Sequence, residues 1–155
     1  MPTYLLDTNV LLRFSDGQSP EHALATAAVH QVRSSGSTQV IAAQNLVEFW
    51  AVATRPVEVN GLGWTPAQAR AEVDRLRAFF PVLKEEERVL EVWLDLVTPH
   101  QIKGKKVHDA RLAAVMLTHG LTHLLTFNPS DFDSIPGLTL VHPSAVPAPP
   151  PLTTP

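Results

Sequence analysis

Four acidic residues fall where the sequence predicts that strands end and helices begin. Asp7 directly follows the first apolar run, and Glu48 lies one to two turns into the helix predicted after the second strand. Asp109 lies in the first turn of a later helix, and Asp131 lies just beyond another short apolar run. Ligands of parallel α/β sheets bind at the carboxyl ends of the strands, so these four side chains are candidates for one active site.

Two of these acids interrupt apolar helix faces. Asp109 shares its predicted helix face with Leu112, Ala113 and Met116. Glu48 shares its predicted helix face with Ala51 and Val52. A carboxylate on an apolar face is unfavourable unless something pairs with it, and converging carboxylates repel one another. A divalent cation would neutralise them, and ligands that are all oxygen suit Mg²⁺ or Mn²⁺.

Each acid also has an ordinary structural explanation. Asp7 could cap the turn after its strand, and Asp109 could interact with the dipole of its own helix. Glu48 could pair with Arg55 or another base, and Asp131 could cap the short turn that follows it. These explanations account for the acids singly but not for the placement of all four at one edge of the predicted sheet.

The elements that must position these residues alternate along the chain. Short apolar runs predict strands at residues 4–6, 39–42, 82–83, 124–127 and 138–141. Apolar spacing and caps predict a short turn over 10–14 and helices over 20–33, 44–54, 66–80, 85–96 and 107–119, with a basic loop over 101–106. This alternation favours an α/β fold, a single domain with a central parallel sheet of about four to five strands flanked by helices.

Composition fits one globular domain over residues 1–142 with a proline-rich tail over residues 143–155, where six of the 14 prolines lie. The chain has 155 residues and no cysteine, so a metal would be held by oxygen or imidazole. No signal peptide or membrane-spanning stretch is evident, which predicts a cytoplasmic protein. The net charge of −3 counts against a broad nucleic-acid-binding surface but does not decide the question.

Four sequence blocks resemble one family, the PIN-domain ribonucleases, and within it the VapC-type toxins of VapBC toxin–antitoxin pairs. The blocks are LLDTNVL at residues 5–11, NLVEF at 45–49, HDARLAA at 108–114 and LTFNPSDF at 125–132. Any one of them is a weak signal, but their order and spacing fit from residue 5 to about residue 143.

The resemblance implies which residues form the site. Asp7, Glu48, Asp109 and an acid near the fourth strand would be the catalytic, metal-ligating residues, with supporting polar roles for Thr8, Asn9 or Thr126. The fourth block departs from the family, because many members have an acid where this chain has Asn128. Asp131 could replace that acid, Asn128 could ligate through its amide oxygen, or the site could keep three acids.

The resemblance also implies an activity and partners. A Mg²⁺- or Mn²⁺-dependent endoribonuclease would hydrolyse RNA to 5′-phosphate and 3′-hydroxyl ends. A VapB-type antitoxin and a homodimer are expected from the family, while the RNA target is not identified by the sequence. Arg111, Lys103, Lys105 and Lys106 are candidates for binding the RNA backbone, although ordinary solvated charges explain the lysines about equally well.

Three other kinds of function compete with this prediction, namely metal-free RNA cleavage, phosphoryl chemistry at an aspartate, and binding without catalysis. The seven histidines raise the possibility of metal-free RNA cleavage, but they are scattered over helix ends and loops. An aspartate-based phosphatase would need a second aspartate where Asn9 stands, and a response-regulator receiver would need acidic neighbours beside Asp7. A PIN-like module that binds RNA or a partner without cutting is the third, and the residue at position 128 keeps it open.

Overall fold

A computed structural model describes residues 1–147 and has an α/β architecture. Its sheet has four strands, β1 (Thr3–Leu6), β2 (Thr38–Val40), β3 (His123–Leu125) and β4 (Thr139–Val141). The spatial order is β2-β1-β3-β4, and every neighbouring pair is parallel. The predicted strand at 82–83 is a single parallel bridge between Val82 and Ile41. The predicted parallel sheet of four to five strands is therefore confirmed.

Six helices connect and cover the strands in the described part of the chain. They are α1 (Thr8–Ser15), α2 (His22–Ser34), α3 (Ala43–Thr54), α4 (Pro66–Phe79), α5 (Val89–Val97) and α6 (Lys106–Thr118). Three short 3₁₀ helices span Val57–Val59, Pro129–Phe132 and Pro143–Ala145. No helix among residues 1–147 is long and apolar enough to cross a membrane.

The hydrophobic core lies on both faces of the sheet. Successive strand residues point to opposite faces, so Leu6 packs with Phe49 and Phe80 on one side, while Leu5 packs with Met116 on the other. Burial on both faces explains why the central strands β1 and β3 each carry two consecutive leucines, Leu5 with Leu6 and Leu124 with Leu125. It also leaves the carboxyl ends of β1 and β3 as places where polar side chains can gather.

Two predicted helix starts are wrong, and long-range contacts explain one of them. The helix predicted from residue 85 begins at Val89, because residues 84–85 are tied to α6. The Lys84 carbonyl contacts a ring nitrogen of His119 at 2.7 Å, and Glu85 forms an ion pair with Arg111 at 3.2 Å. The helix predicted from residue 20 begins at His22 after a separate turn.

The first residues of the predicted tail pack on the domain. Pro143 is buried within the last 3₁₀ helix, and Val146 packs against the core. Residues 148–155, which carry most of the proline-rich tail, lie outside the described residues. The division of the chain at residue 142 stays a prediction.

Candidate active site

The four acids predicted from the sequence line one cleft of about 350 Å³. Asp7, Glu48, Asp109 and Asp131 share this cleft with Thr8, Asn9 and Arg55, among others. It lies at the edge where β1 and β3 end, because α1 and the 3₁₀ helix Pro129–Phe132 follow those strands within a few residues. The structure thus brings together residues that are up to 124 positions apart in sequence (131 − 7).

The Asp7 carboxylate is fixed by hydrogen bonds from three residues. Its Oδ1 accepts a bond from the Thr8 N–H at 2.7 Å, which caps α1. Its Oδ2 accepts bonds from Thr126 Oγ1 at 2.8 Å and from Asn9 Nδ2 at 3.3 Å. Burial raises the pKa of Asp7 to about 6, against these hydrogen bonds, and the charges of Glu48 and Asp131 add to the rise.

Thr126 and Asn9 join the ends of β1 and β3. The Thr126 side chain is fully buried and, besides donating to Asp7, accepts a bond from the Asn128 N–H at 3.1 Å. Asn9 Oδ1 accepts a bond from the Phe127 N–H at 3.1 Å. The supporting polar positions predicted from the sequence therefore do touch Asp7, either directly or through each other.

Both carboxylate oxygens of Glu48 are held by neutral donors. Thr8 Oγ1 donates to Oε2 at 2.8 Å, and Gln44 Nε2 donates to Oε1 at 2.9 Å. An Arg55 partner for Glu48 was one alternative, but no ion pair joins them among the described residues. Arg55 instead lines the cleft beside Glu48, with its side chain exposed.

Sequence reasoning missed Asn45, which supports Thr8. Asn45 is fully buried, its Oδ1 accepts a bond from the Ala42 N–H at 2.8 Å, and its Nδ2 donates to Thr8 Oγ1 at 3.2 Å. It thereby caps the start of α3 and orients the hydroxyl that holds Glu48. An asparagine in the first turn of a largely apolar helix was the available signal.

Sequence reasoning also missed Gln44, which links two helices across the site. Its Nε2 donates both to Glu48 and to the His108 carbonyl, the latter at 2.8 Å. Its Oε1 accepts a bond from Arg111 at 2.9 Å. Gln44 lies four residues before Glu48 and therefore on the same helix face, which is the signal that the sequence offered.

Arg111 is engaged within the protein. It donates to Gln44 and forms an ion pair with Glu85, so it ties α6 to α3 and to the segment before α5. Lys103 and Lys105 are exposed in the predicted basic loop, whereas Lys106 is the first residue of α6 rather than part of that loop. The four basic candidates therefore differ in their surroundings, although the sequence offered no basis for distinguishing the three lysines.

Asp109 lies half-buried in the same cleft as Asp7, close enough for the two charges to interact. Burial raises the pKa of Asp109 to about 7, and the negative charges of Asp7, Asp131 and Glu48 raise it further, while Lys106 opposes the rise. This is the mutual repulsion that converging carboxylates are expected to show. A positive charge placed between them would relieve it.

Of the two candidates in the fourth sequence block, Asp131 and Asn128, it is Asp131 that lines the cleft. Asp131 is exposed at the rim, in the 3₁₀ helix Pro129–Phe132, and lines the cleft. Asn128 is exposed and is not among the cleft's lining residues, and its backbone N–H binds Thr126. The structure places Asp131 beside the other acids, whereas which residue would ligate a metal stays a prediction.

A family model of the PIN domain matches residues 4–138, which is most of the chain. The chain belongs to the PIN domain family. This PIN domain is 29% identical to Ribonuclease VapC24 of Mycobacterium tuberculosis over 129 residues, covering 82% of this chain and 87% of that protein.

Solved structures show the same fold. VapBC2 from Rickettsia felis, bound to a DNA fragment from their promoter, matches with a TM-score of 0.70 at 17% identity, covering 90% of this chain and 98% of that one. VapBC-1 from nontypeable Haemophilus influenzae matches with a TM-score of 0.68 at 17% identity, covering 92% and 98%. At these identities the likeness concerns the architecture of the PIN domain.

The cleft of this PIN domain fits a hard divalent cation by its donor chemistry. Its acidic side chains offer carboxylate oxygens of the kind that Mg²⁺ and Mn²⁺ take, and Asp7 and Asp109 have pKa values raised by crowding and burial. Within residues 1–147, however, no three histidine or acidic side chains form a ready-made metal cage. The donors surround an open cleft, and binding a cation would require them to close upon it.

Proposed function

We propose that this protein is a metal-dependent endoribonuclease, the toxin component of a type II toxin–antitoxin system. It hydrolyses RNA phosphodiesters to 5′-phosphate and 3′-hydroxyl ends with Mg²⁺ or Mn²⁺. The observation that carries the proposal is the gathering of Asp7, Glu48, Asp109 and Asp131 in one cleft of a PIN domain. The name of its relative, a ribonuclease, supports RNA as the substrate.

The proposed ligands are those four carboxylates. When bound, a divalent cation lowers the pKa of a water and stabilises charge on the phosphate oxygens. Asp7 is held at the end of β1 by Thr126 and Asn9, and Glu48 is held by Thr8 and Gln44, so two of the four carboxylates have fixed orientations. Asn128 is the alternative to Asp131 as the fourth donor.

The proposed partners follow from the structural neighbours. Those neighbours are VapBC complexes, which supports a VapB-type antitoxin as the partner of this chain. We also propose a cytoplasmic location, since RNA is the proposed substrate, and a homodimer, which the family resemblance implies. The exposed apolar side chain of Val47 on α3, beside Leu46 and Trp50, offers a surface for one of these contacts.

The test is cleavage of total RNA by the purified protein with Mg²⁺ or Mn²⁺, compared with excess EDTA. We expect cleavage with metal, none with EDTA, and 5′-phosphate ends identified by ligation. Asp109→Asn should abolish cleavage. Asp95→Asn, which removes the same charge at an exposed position of α5, should leave it unchanged.

Three outcomes would contradict the proposal. Cleavage that persists in EDTA and leaves cyclic phosphate ends would indicate histidine-based chemistry. A phosphoenzyme at Asp7 would indicate an aspartate-based phosphatase. Metal binding without cleavage of any RNA would leave a PIN domain that binds without cutting.

A further inference from the structure

A second and larger cavity adjoins the acid cleft. It is a groove of about 870 Å³ between α3 and the start of α6, and its lining includes Gln44, Glu48, Arg55, Lys105, His108 and Arg111. Glu48 and Arg55 line both cavities. The groove therefore adjoins the acid cleft, and Glu48 and Arg55 lie at the junction between the two.

The free positive charges of this groove are Arg55 and Lys105. Both side chains are exposed, and neither forms an ion pair within residues 1–147. Arg111 also lines the groove, but Gln44 and Glu85 already bind it. The chain as a whole carries a net charge of −3, so its surface is not generally basic. Two unpaired cations beside a carboxylate cleft are therefore a local feature of this groove.

The backbone at Arg55 is fixed while its side chain is left exposed. The loop after α3 folds back, and the Gly63 N–H donates to the Arg55 carbonyl at 2.9 Å. A Cβ at Gly61 would lie 1.9 Å from that same carbonyl oxygen, so only glycine allows this close approach. The tight loop holds Arg55 at the junction, which reduces the entropy lost when its guanidinium binds an anion.

We propose that the groove between α3 and α6 binds the backbone of single-stranded RNA that leads away from the acid cleft. Arg55 binds a phosphate at the junction, and Lys105 binds one further along. This inference rests on the proposed ribonuclease function and adds the path of the substrate. Of the three lysines predicted as RNA-binding candidates, only Lys105 lines the groove, whereas Lys103 and Lys106 do not.

The physical argument is one of charge and size. Phosphates next to the scissile one are repelled by the carboxylates of the cleft, so they need cations beyond it. The groove is as large as the pockets that enclose drug-sized ligands, which suits a short stretch of one strand rather than a duplex. The groove is also lined by Glu48 and Glu85, but its unpaired arginine and lysine side chains favour this polyanion over a peptide segment that lacks acidic side chains.

The test measures RNA binding without cleavage. In an Asp109→Asn background with Mg²⁺, a fluorescein-labelled single-stranded RNA of mixed sequence is titrated with protein at salt concentrations from 50 to 200 mM. The double variant Arg55→Ala/Lys105→Ala is compared with a control, Lys84→Ala/Arg88→Ala. The control removes two exposed positive charges that do not line the groove.

Each phosphate contact on a single strand contributes about 0.7 to the slope of log affinity against log salt. Loss of both contacts should flatten the slope by about 1.4, so the parent should lose about sevenfold more affinity than the groove variant over this range. The control pair should keep the parent's slope. Circular dichroism melts check that both double variants fold.

Cleavage by the wild-type protein, run in parallel, separates this inference from the proposed function. Cleavage together with equal slopes for parent and groove variant would overturn the groove and leave the ribonuclease standing. A flattened slope in the groove variant, without wild-type cleavage, would support the groove as an RNA site and reject the ribonuclease. Equal loss of slope in the groove and control variants would overturn the groove, because any two surface charges would then suffice.

Discussion

The two sides of the acid cleft are built differently. On one side, which we call the β1 junction, Asp7, Thr8, Asn9 and Thr126 bind one another through hydrogen bonds of 2.7 to 3.3 Å. On the other side, which we call the open wall, Asp109 is half-buried and Asp131 is exposed. The Asp109 carboxylate receives no hydrogen bond from the described residues.

The two sides therefore have different roles: the β1 junction fixes the orientation of Asp7, and the open wall adds negative charge. The β1 junction is formed by the fold itself, because the same hydrogen bonds that orient Asp7 also cap α1 and join β1 to the end of β3. The open wall contributes charge without fixed partners, so it can adjust when a cation or phosphate arrives. A rigid half and an adjustable half are consistent with an open cleft in which no ready-made metal cage exists among residues 1–147.

The largest expected effect distinguishes the two acids of the open wall. Asp109→Asn should lower the rate of RNA cleavage by at least about 100-fold, since it removes a proposed metal ligand that faces Asp7. Asp131→Asn should lower it by about tenfold or less, because Asp131 is exposed and Asn128 lies nearby. Single-turnover cleavage assays measure both. Equal losses would show that Asp131 is as essential as Asp109.

The β1 junction should be the more important side for stability. Thr126→Val keeps the shape of a fully buried side chain but removes the hydroxyl that binds Asp7 and the Asn128 N–H. Leaving buried groups without partners costs about 1–3 kcal/mol, whereas Asp131→Ala at the exposed rim should change stability by less than about 0.5 kcal/mol. Urea unfolding of the metal-free protein measures both. Similar values for the two variants would contradict the division proposed above.

The sequence predicted the fold well where local signals agreed with the tertiary structure. The helices predicted over 44–54, 66–80 and 107–119 each lie within one residue of the observed bounds at both ends. Apolar spacing and, for α4, the Thr65 cap with proline after it were sufficient there. The start of α5 was missed because its cause, the pairing of Glu85 with Arg111, joins residues far apart in sequence.

The same limit applies to the candidate site. The four acids could be predicted, since strand ends and broken apolar faces mark them in the sequence. Gln44 and Asn45 could not, because their roles exist only through partners on other elements. Arg111 is 67 residues from Gln44, and Thr8 is 37 residues from Asn45.

Gln44 extends the comparison beyond the β1 junction, since it orients Glu48 from within α3 while its own side chain is bound to His108 and Arg111 of α6. Gln44→Ala should weaken metal affinity by about tenfold, because Glu48 loses one of its two hydrogen bonds. Gln68→Ala, an exposed glutamine of α4, is the control. Isothermal titration with Mn²⁺ measures the affinity. An unchanged affinity would show that Thr8 alone fixes Glu48.

The smallest effect concerns the pH dependence of the metal-free protein. The folded pKa values of Asp7 and Asp109, about 6 and about 7, lie above the ordinary value of 3.8. Between about pH 4 and pH 7 the folded state therefore binds more protons than the unfolded chain, and these two groups make stability fall as pH rises. Above pH 7 their charged forms destabilise the empty cleft fully.

Asp109→Asn isolates the part of this effect that belongs to the open wall. Asparagine does not titrate, so the variant should gain stability relative to the wild-type protein as pH rises from about 4 to about 7, with no further gain above that. Thermal unfolding in EDTA across this range measures the difference. A difference that stays flat would mean that neither burial nor the other three carboxylates raise the pKa of Asp109, and hence that the open wall is more solvated and less crowded by charge than the structure indicates. Addition of Mn²⁺ at pH 8 should make the wild-type protein the more stable of the two, because the chain that keeps all four acids would bind the cation more tightly.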